Sequence, residues 1–485
     1  MLAPRTRLWI LDLLMNITLG GAICLHCAAS LVLPTQPRAE IECPRCTHKY
    51  MLIKGEIPLL LERGEEYAAG LAVQYDRYLR EQQQEQQRWA EPDVAQGIRA
   101  QYLAALLVAR AHNNQYLDNI RVALLGQVSK SALLRAATQP NLVRYATNWS
   151  YLRRDWCGLP EGEEELAIIL ATLTAVGAFD TTQTVLVAGA ATARLAWLLR
   201  RCVRHVYAVD ISLTMAWQFY DLLRNGQLPF YNIQTKNRRT AADGIAAHTA
   251  TLFDLPTAGE EWGTFSYFVA DACRMPLPDH SLDAVVAVYF TDTLPLRQLL
   301  PEMRRLLKPG GRYVHFGPLE YHFDDVAEML TAEEVRQAFV AYGFCMEQEC
   351  EVASRHLYSS QSLAHRTYLN WCFTALAPPL TSVFTQQAVL SIVEPLQYST
   401  HGQLSDGLDE ATETHLRNAA GAVYEGAGTV LDLLRCIDGR RTGEEVIAEL
   451  AKQYTLDKVN DAPVLWELLK TLYKDNIIKV LSDGT

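Results

Sequence analysis

Thr184-Val185-Leu186-Val187-Ala188-Gly189 is a short β-rich apolar run that stops at a glycine. Helix-forming residues follow from Thr192 to Arg201, with Leu195, Ala196, Leu198 and Leu199 as the apolar positions. A second run, His205-Val206-Tyr207-Ala208-Val209, ends at Asp210. Strand, Gly turn, helix, strand and terminal acid form a βαβ unit able to hold a nucleoside. The turn lets backbone approach the ligand, and the carboxylate accepts both ribose hydroxyls. Working outward, Tyr267-Phe268-Val269-Ala270-Asp271 is another strand ending in an acid, and 282–290 reads as a buried strand. Leu306-Leu307-Lys308-Pro309-Gly310-Gly311 closes a helix through a Gly-Gly turn into a further strand at Arg312-Tyr313-Val314. The expected fold class is α/β with a Rossmann-like core. The Gly turn alone would suit an NAD-binding domain equally well.

As a set, the acid after the second strand, Ala270-Asp271-Ala272 after the third and Leu307-Lys308-Pro309-Gly310-Gly311 before the fifth resemble class I S-adenosylmethionine (SAM) methyltransferases. Finer pieces recur in one subfamily in the same order. They include Arg154-Asp155-Trp156, Arg194-Leu195-Ala196-Trp197, Asn237-Arg238-Arg239, Tyr289-Phe290-Thr291-Asp292-Thr293 and Gly317-Pro318-Leu319-Glu320-Tyr321-His322-Phe323. These look like the carnosine N-methyltransferase family, which methylates the imidazole of a histidine-containing dipeptide, and the likeness covers about residues 145–376.

That resemblance implies a SAM site built from Arg154, Gly189, Arg194, Asp210 and Asp271, with Asp292, Tyr321 and His322 facing the imidazole. Two departures stand out. Ala191 and Ala193 occupy places where the family has glycines, and Tyr151 stands where it has a glutamine that helps hold the cofactor. The extra methyls predict crowding against the methionine moiety and a weaker grip on SAM.

Formal charge is 44 − 55 = −11 over 485 residues, of which 49% are hydrophobic and 20% charged. This composition excludes a disordered or multi-span membrane chain and predicts about three domains. An acidic total argues against coating nucleic acid, because phosphate binding rests on Lys and Arg. Residues 7–34 have an apolar stretch, but Asp12 and Asn16 interrupt it short of a membrane span. A cytoplasmic location is expected.

Of eleven cysteines, four fall in two pairs, Cys24-x2-Cys27 and Cys43-x2-Cys46. Each C-x-x-C turn presents two thiolates, and two such turns close a four-thiolate structural Zn2+ site with no open position for water. His26 and His48 read as bystanders. The segment Tyr50-Met51-Leu52-Ile53-Lys54-Gly55-Glu56-Ile57-Pro58-Leu59 resembles the zinc-ribbon activators of tRNA methyltransferases, with Glu56 as an insertion. The other seven cysteines lack C-x-x-C spacing and are expected to be free thiols.

Residues 66–144 read as a helical connecting region after a ribbon at 1–65, with Tyr67 to Arg88 and Leu103 to Leu134 helical around a break at Pro92. The methyltransferase domain is expected over 145–378. A linker or irregular stretch follows over 379–426, its polar part at 399–413. Residues 427–485 are expected to form a small winged-helix-like α+β module. Its "L-x-x-I-D-G-x-R-T-x-x-E" pattern from Leu434, with the helix that follows, resembles PqqD-like modules, which implies a peptide or protein partner.

The expected function is SAM-dependent N-methylation of an imidazole in a histidine-containing dipeptide or peptide by in-line transfer. The other readings are a degenerate methyltransferase serving as a scaffold and an RNA methyltransferase.

Overall fold

The structure, a computed structural model, describes residues 19–34, 39–89, 97–137, 149–257, 260–379, 389–393, 396–405, 408–417, 423–426, 428–454, 461–474 and 477–480. The N-terminal apolar run up to residue 18 and the break at Pro92 lie outside them. The chain divides into two compact units. The first comprises Met1–Thr293, Arg312–Glu320 and Gln348–Thr374, and the second Leu294–Gly311, Tyr321–Glu347 and Ala375–Thr485.

The core strands are β4 (Thr184–Ala188), β5 (His205–Asp210), β8 (Thr264–Val269), β9 (Leu282–Val288), β10 (Leu307–Gly317), β11 (Cys345–His356) and β12 (Arg366–Leu376). They lie in the order β8-β5-β4-β9-β10-β12-β11. β4 pairs in parallel with β5 on one side and β9 on the other, and β5 pairs in parallel with β8. Parallel strands are covered on both faces and therefore read as continuous apolar runs, and all five residues of β4 are buried. The chain winds outward from β4 in one direction and then in the other. The resulting switch point lies beyond the carboxyl ends of β4, β5 and β9, where open α/β sheets bind ligands. This order, with its reversed final pair, is that of class I SAM methyltransferases.

At the β8 edge the ribbon strands β1 (Glu40–Glu42), β2 (Lys49–Ile53) and β3 (Ile57–Leu59) extend the same sheet. β3 runs parallel to β8, with Leu59 opposite Val269 and the Leu60 N–H donating to the Val269 carbonyl at 2.8 Å. The helical region joins the same core. Ala68, Leu71, Ala72 and Tyr75 of α1 (Gly64–Trp89) and Leu117, Ile120 and Leu124 of α2 (Gly97–Leu125) are buried in one cluster with the sheet residues. Helix α2 stops at Leu125 and α3 (Lys130–Ala137) starts afresh, so the helical run expected through Leu134 is broken. Tyr67 of α1 donates to the Ile211 carbonyl at 2.5 Å and accepts the Leu213 N–H at 3.1 Å, fixing α1 to the turn after β5.

In the second unit, α8 (Leu296–Leu306) leads into β10, and α9 (Ala332–Ala341) opens with a Thr331–Glu334 capping box. The Lys308-Pro309-Gly310-Gly311 stretch, expected as a turn, is strand. Gly310 N–H donates to the Ala377 carbonyl and Ala377 N–H to the Gly311 carbonyl, and Gly310 adopts φ +71. Helices α10 (Gly428–Arg435), α11 (Gly443–Gln453) and α12 (Asp461–Lys474) pack with the antiparallel pair β13 (Leu390–Ile392) and β17 (Ile478–Val480) around Leu390, Leu433, Val446, Leu450, Leu469 and Leu472. The stretch expected as an irregular linker holds a three-stranded antiparallel sheet of β14 (Gln397–Ser405), β15 (Leu408–Arg417) and β16 (Val423–Gly426). Its polar composition hides the pattern, since strand alternation is visible only where one face is apolar. A register shift between His401 and Gly402 interrupts it further.

Candidate active site

The turn after β4 is held at left-handed φ in three residues, Gly189 (+68), Ala191 (+48) and Ala193 (+65). A Cβ at Gly189 would run into the Phe290 ring, so this position requires glycine. Ala193 is fully buried in the core cluster. Its methyl therefore does not crowd the ligand side of the turn, and the expected crowding reduces to Ala191. Asp210 accepts the Ala191 N–H with one oxygen and the Ser212 N–H with the other, each at 2.8 Å. Burial pushes its carboxyl above the ordinary value, against the pull of those two N–H groups. A carboxylate offers about four lone-pair positions, so both oxygens retain capacity for ribose hydroxyls. Asp271 follows the neighbouring strand β8 and accepts the Cys273 N–H at 2.9 Å.

Helix α4 (Trp149–Trp156) braces this turn from behind: Trp156 Nε1 donates to the Thr192 carbonyl at 2.8 Å, and Thr192 Oγ1 donates to Asp155. Arg154 is buried between Asp155 Oδ1 (2.6 Å) and Glu165 Oε1 (3.3 Å). Burial opposes its charge, but the two carboxylates outweigh that and hold it firmly protonated. Arg194 points elsewhere. It is fully buried over Phe253 (4.1 Å) and Trp156 (4.9 Å), paired with Asp254, and so holds the start of α6 (Arg194–Leu199) in the core.

A group that no sequence motif singles out joins this framework. Glu165, on α5 (Pro160–Gly177), accepts from His356 Nδ1 at 3.0 Å and from the Leu357 N–H at 2.9 Å. The His356 ring lies 4.3 Å from Tyr289 and 5.6 Å from Tyr368, and Tyr151 approaches at 6.2 Å. Tyr368 in turn donates to Glu320, which also pairs with Arg366 at 3.0 Å. The result is an aromatic box just past the end of β9. Tyr289 stood inside a quoted motif, but His356 and Glu165 are 191 residues apart, and no local pattern announces their meeting.

Asp292 is 2% exposed at the same strand end and accepts the Glu320 N–H at 2.8 Å. Beneath it Thr291 Oγ1 meets Tyr313 Oη at 2.9 Å and His315 Nδ1 at 2.7 Å. His315 Nε2 donates to the Gly317 carbonyl at 3.2 Å, and burial pushes this ring down to about 3, so it is neutral. Tyr321 and His322 belong to the second unit, where Tyr321 Oη donates to the Leu330 carbonyl at 2.6 Å and His322 is exposed.

The four sulfurs of Cys24, Cys27, Cys43 and Cys46 lie within 4.8 Å of one another, with Cys24–Cys46 at 3.6 Å and Cys27–Cys43 at 3.4 Å. A tetrahedral ion at Zn–S of about 2.3 Å needs sulfurs roughly 3.8 Å apart, so the cluster fits zinc. The His26 and His48 rings meet at 4.2 Å, tilted by 42°, and are not part of the cluster. None of the eleven cysteines is in a disulfide.

Strand order and the turn after β4 define a class I SAM methyltransferase fold. Residues 139–379, about half the chain, match the family model described as Carnosine N-methyltransferase, and this domain belongs to that family. The carnosine N-methyltransferases of Rattus norvegicus and Mus musculus are each 28% identical over 178 residues, which is 34% of this chain. The match spans 44% of those relatives, under half their length. Among solved structures, a complex of the Haloferax volcanii Trm112 methyltransferase activator with a methyltransferase is similar at TM-score 0.33 and 17% identity, covering 49% of this chain and 99% of that one. The Haemonchus contortus phosphoethanolamine N-methyltransferase 2 complex with SAM gives 0.27 and 18%, covering 43% and 52%. Among the described residues, no helix is long and apolar enough to cross a membrane.

Proposed function

We propose that this chain is a SAM-dependent N-methyltransferase acting on the imidazole of a histidine-containing dipeptide or short peptide. The observation that carries this reading is a buried carboxylate, Asp292, fixed at the end of β9 beside an aromatic box, within a domain of the carnosine N-methyltransferase family. SAM, when bound, supplies an electrophilic methyl. Gly189, Ala191, Asp210 and Asp271 would hold it, with Arg154 and Asp155 bracing the turn from behind.

The chain's own task is then positional. In-line displacement needs the nucleophile held on the axis of the bond being broken. A neutral imidazole has one bare nitrogen and one N–H, and its reference pKa of about 6.5 leaves it mostly neutral in the cytosol. Asp292 would accept the N–H, which selects the tautomer and leaves the other nitrogen free to attack. As the ring becomes cationic, the same carboxylate stabilises the developing charge.

Four thiolates with matching geometry support a structural Zn2+ in the ribbon, and seven further cysteines outside any disulfide support a cytoplasmic setting. The three-helix module with its β13–β17 pair is a candidate for binding a leader peptide or protein. The departures at Ala191 and Tyr151 favour, as a second reading, a scaffold that has lost SAM.

Incubation with labelled SAM, carnosine, a pool of histidine-containing peptides and total RNA tests these readings together. Label should enter an imidazole. Label in RNA alone would overturn the acceptor, and absence of SAM binding by calorimetry would leave the scaffold.

A further inference from the structure

The loop between β6 (Gln227–Ile233) and β7 (Ile245–Thr251) carries an arginine whose guanidinium nitrogens are shielded and unpartnered. These two strands form an antiparallel hairpin clamped to α2, where the Asn113 side chain donates to the Tyr231 carbonyl at 2.8 Å and accepts its N–H at 3.0 Å. The loop is pinned at its tip as well. Arg238 forms a β-bridge with Ser362, and the Asn237 carbonyl accepts the Leu363 N–H at 2.8 Å. The backbone of Arg238 is thus fixed from both sides.

Its side chain is not satisfied. Nε, Nη1 and Nη2 of Arg238 are all shielded from water and none has a hydrogen-bond partner. Two further donors nearby are in the same condition: Arg153 Nε and His248 Nε2. Arg153 is 3% exposed, and its terminal nitrogens are already taken by Glu161 at 3.1 Å and the Tyr358 carbonyl. Asp243 accepts the Thr240 N–H at 3.1 Å and favours the Arg238 charge at a distance, but no hydrogen bond joins the two. Burial and the neighbouring Arg153 both work against the charge on Arg238, and the same two causes lower His248 and keep it uncharged near neutrality. Guanidinium nitrogens that are shielded from water and left unpaired are destabilising, and a protein that keeps them has a use for them.

We propose that Arg238, with Arg153 Nε and His248 Nε2, binds a carboxylate of the methyl acceptor. A planar carboxylate matches the guanidinium fork with two parallel hydrogen bonds. The site is also linked to the aromatic box along the chain. Tyr358, whose carbonyl holds Arg153, is two residues beyond His356, at most about 7 Å of chain, and a dipeptide spans a similar length. The identity of the carboxylate as the acceptor's rests on the imidazole reading above, whereas the anion site itself does not.

The test compares carnosine with its C-terminal amide by calorimetry and by KM, using the full-length protein and its Arg238→Gln variant. The acid should bind at least about tenfold more tightly than the amide in the unsubstituted protein, as expected for a lost charge-assisted pair. In Arg238→Gln the two ligands should bind within about twofold of each other, with SAM affinity unchanged. Equal binding of acid and amide by the unsubstituted protein, or a preserved ratio in the variant, overturns the proposal. If neither dipeptide binds, the imidazole reading fails, and excess acetate against chloride at equal ionic strength then tests the anion site alone. Acetate should raise the melting temperature of the unsubstituted protein and not that of Arg238→Gln, and no such difference overturns the site. The ligand-free variant should itself melt higher than the parent, because it sheds shielded, unpaired guanidinium nitrogens; a lower melting temperature marks Arg238 as merely structural and overturns the proposal too.

Discussion

One carboxylate oxygen of Asp210 accepts the backbone N–H of Ala191 at 2.8 Å, tying the end of the second core strand to the turn after the first. The bond fixes Ala191 at φ +48, where an L-residue with a Cβ is strained by roughly 1–2 kcal/mol. Replacing Ala191 with glycine removes that strain and the methyl that faces the turn. Ala191→Gly should therefore raise stability by about 0.5–1 kcal/mol and tighten SAM binding, as read by urea denaturation and calorimetry. Unchanged or weaker SAM binding would show that Ala191 does not crowd the cofactor.

Asp292→Asn retains an oxygen for the Glu320 N–H but loses the negative charge offered to the acceptor. Turnover should fall about 100-fold or more while SAM affinity stays within about twofold. Single-turnover methyl transfer and calorimetry on the same preparation check this, and undiminished transfer removes Asp292 from the reaction.

Acid should destabilise the fold well before the carboxylates titrate. His315 is buried and pushed down to about 3, and burial with Arg204 and Arg200 pushes His205 down to about 4. Both pKa values lie below the unfolded value of about 6.5, so the unfolded chain takes up protons first. Their contribution is complete above pH 6.5 and is lost as pH falls toward the folded values. Each histidine adds a slope of up to about 1.4 kcal/mol per pH unit in that window. His315→Gln should flatten the stability profile between pH 6 and 4 by about one proton, measured as the urea midpoint against pH. An unaltered profile would mean that His315 is protonated in the fold.

Elemental analysis should find about one zinc per chain, released by strong chelators. Cys43→Ser should lose the metal and, with it, protection of the amide hydrogens in β1–β3. Retained protection without metal would show that packing against β8 alone holds the ribbon.

What the sequence disclosed follows from burial. The parallel strands β4, β5 and β8 are covered on both faces, so their residues form apolar runs that a single sequence reveals, and the acids at their ends stand out by contrast. The four cysteines were legible because a metal site imposes its spacing on neighbouring residues. By contrast, β11 is largely exposed, and only one of its twelve residues, Ser354, is buried. Nothing in such a strand marks His356 as the residue that meets Glu165 and Tyr289. Arg194 shows what a motif leaves out: it places the residue at the turn, and the structure encloses its side chain with Phe253, Trp156 and Asp254. Motif position specifies where a backbone lies, and packing decides where a long side chain goes.

The parallel pairing of β3 with β8 has a consequence for how the chain behaves while it folds. Without the ribbon, β8 would be the outermost strand, with a row of open backbone donors and acceptors free to recruit strands from other molecules. Its sequence, Thr264–Val269, is apolar and uncharged, which suits such adhesion. Holding the ribbon in place with metal therefore keeps the Val269 end of this edge closed to foreign strands. A chain made under zinc starvation should accumulate as aggregates even if the central βαβ unit folds normally.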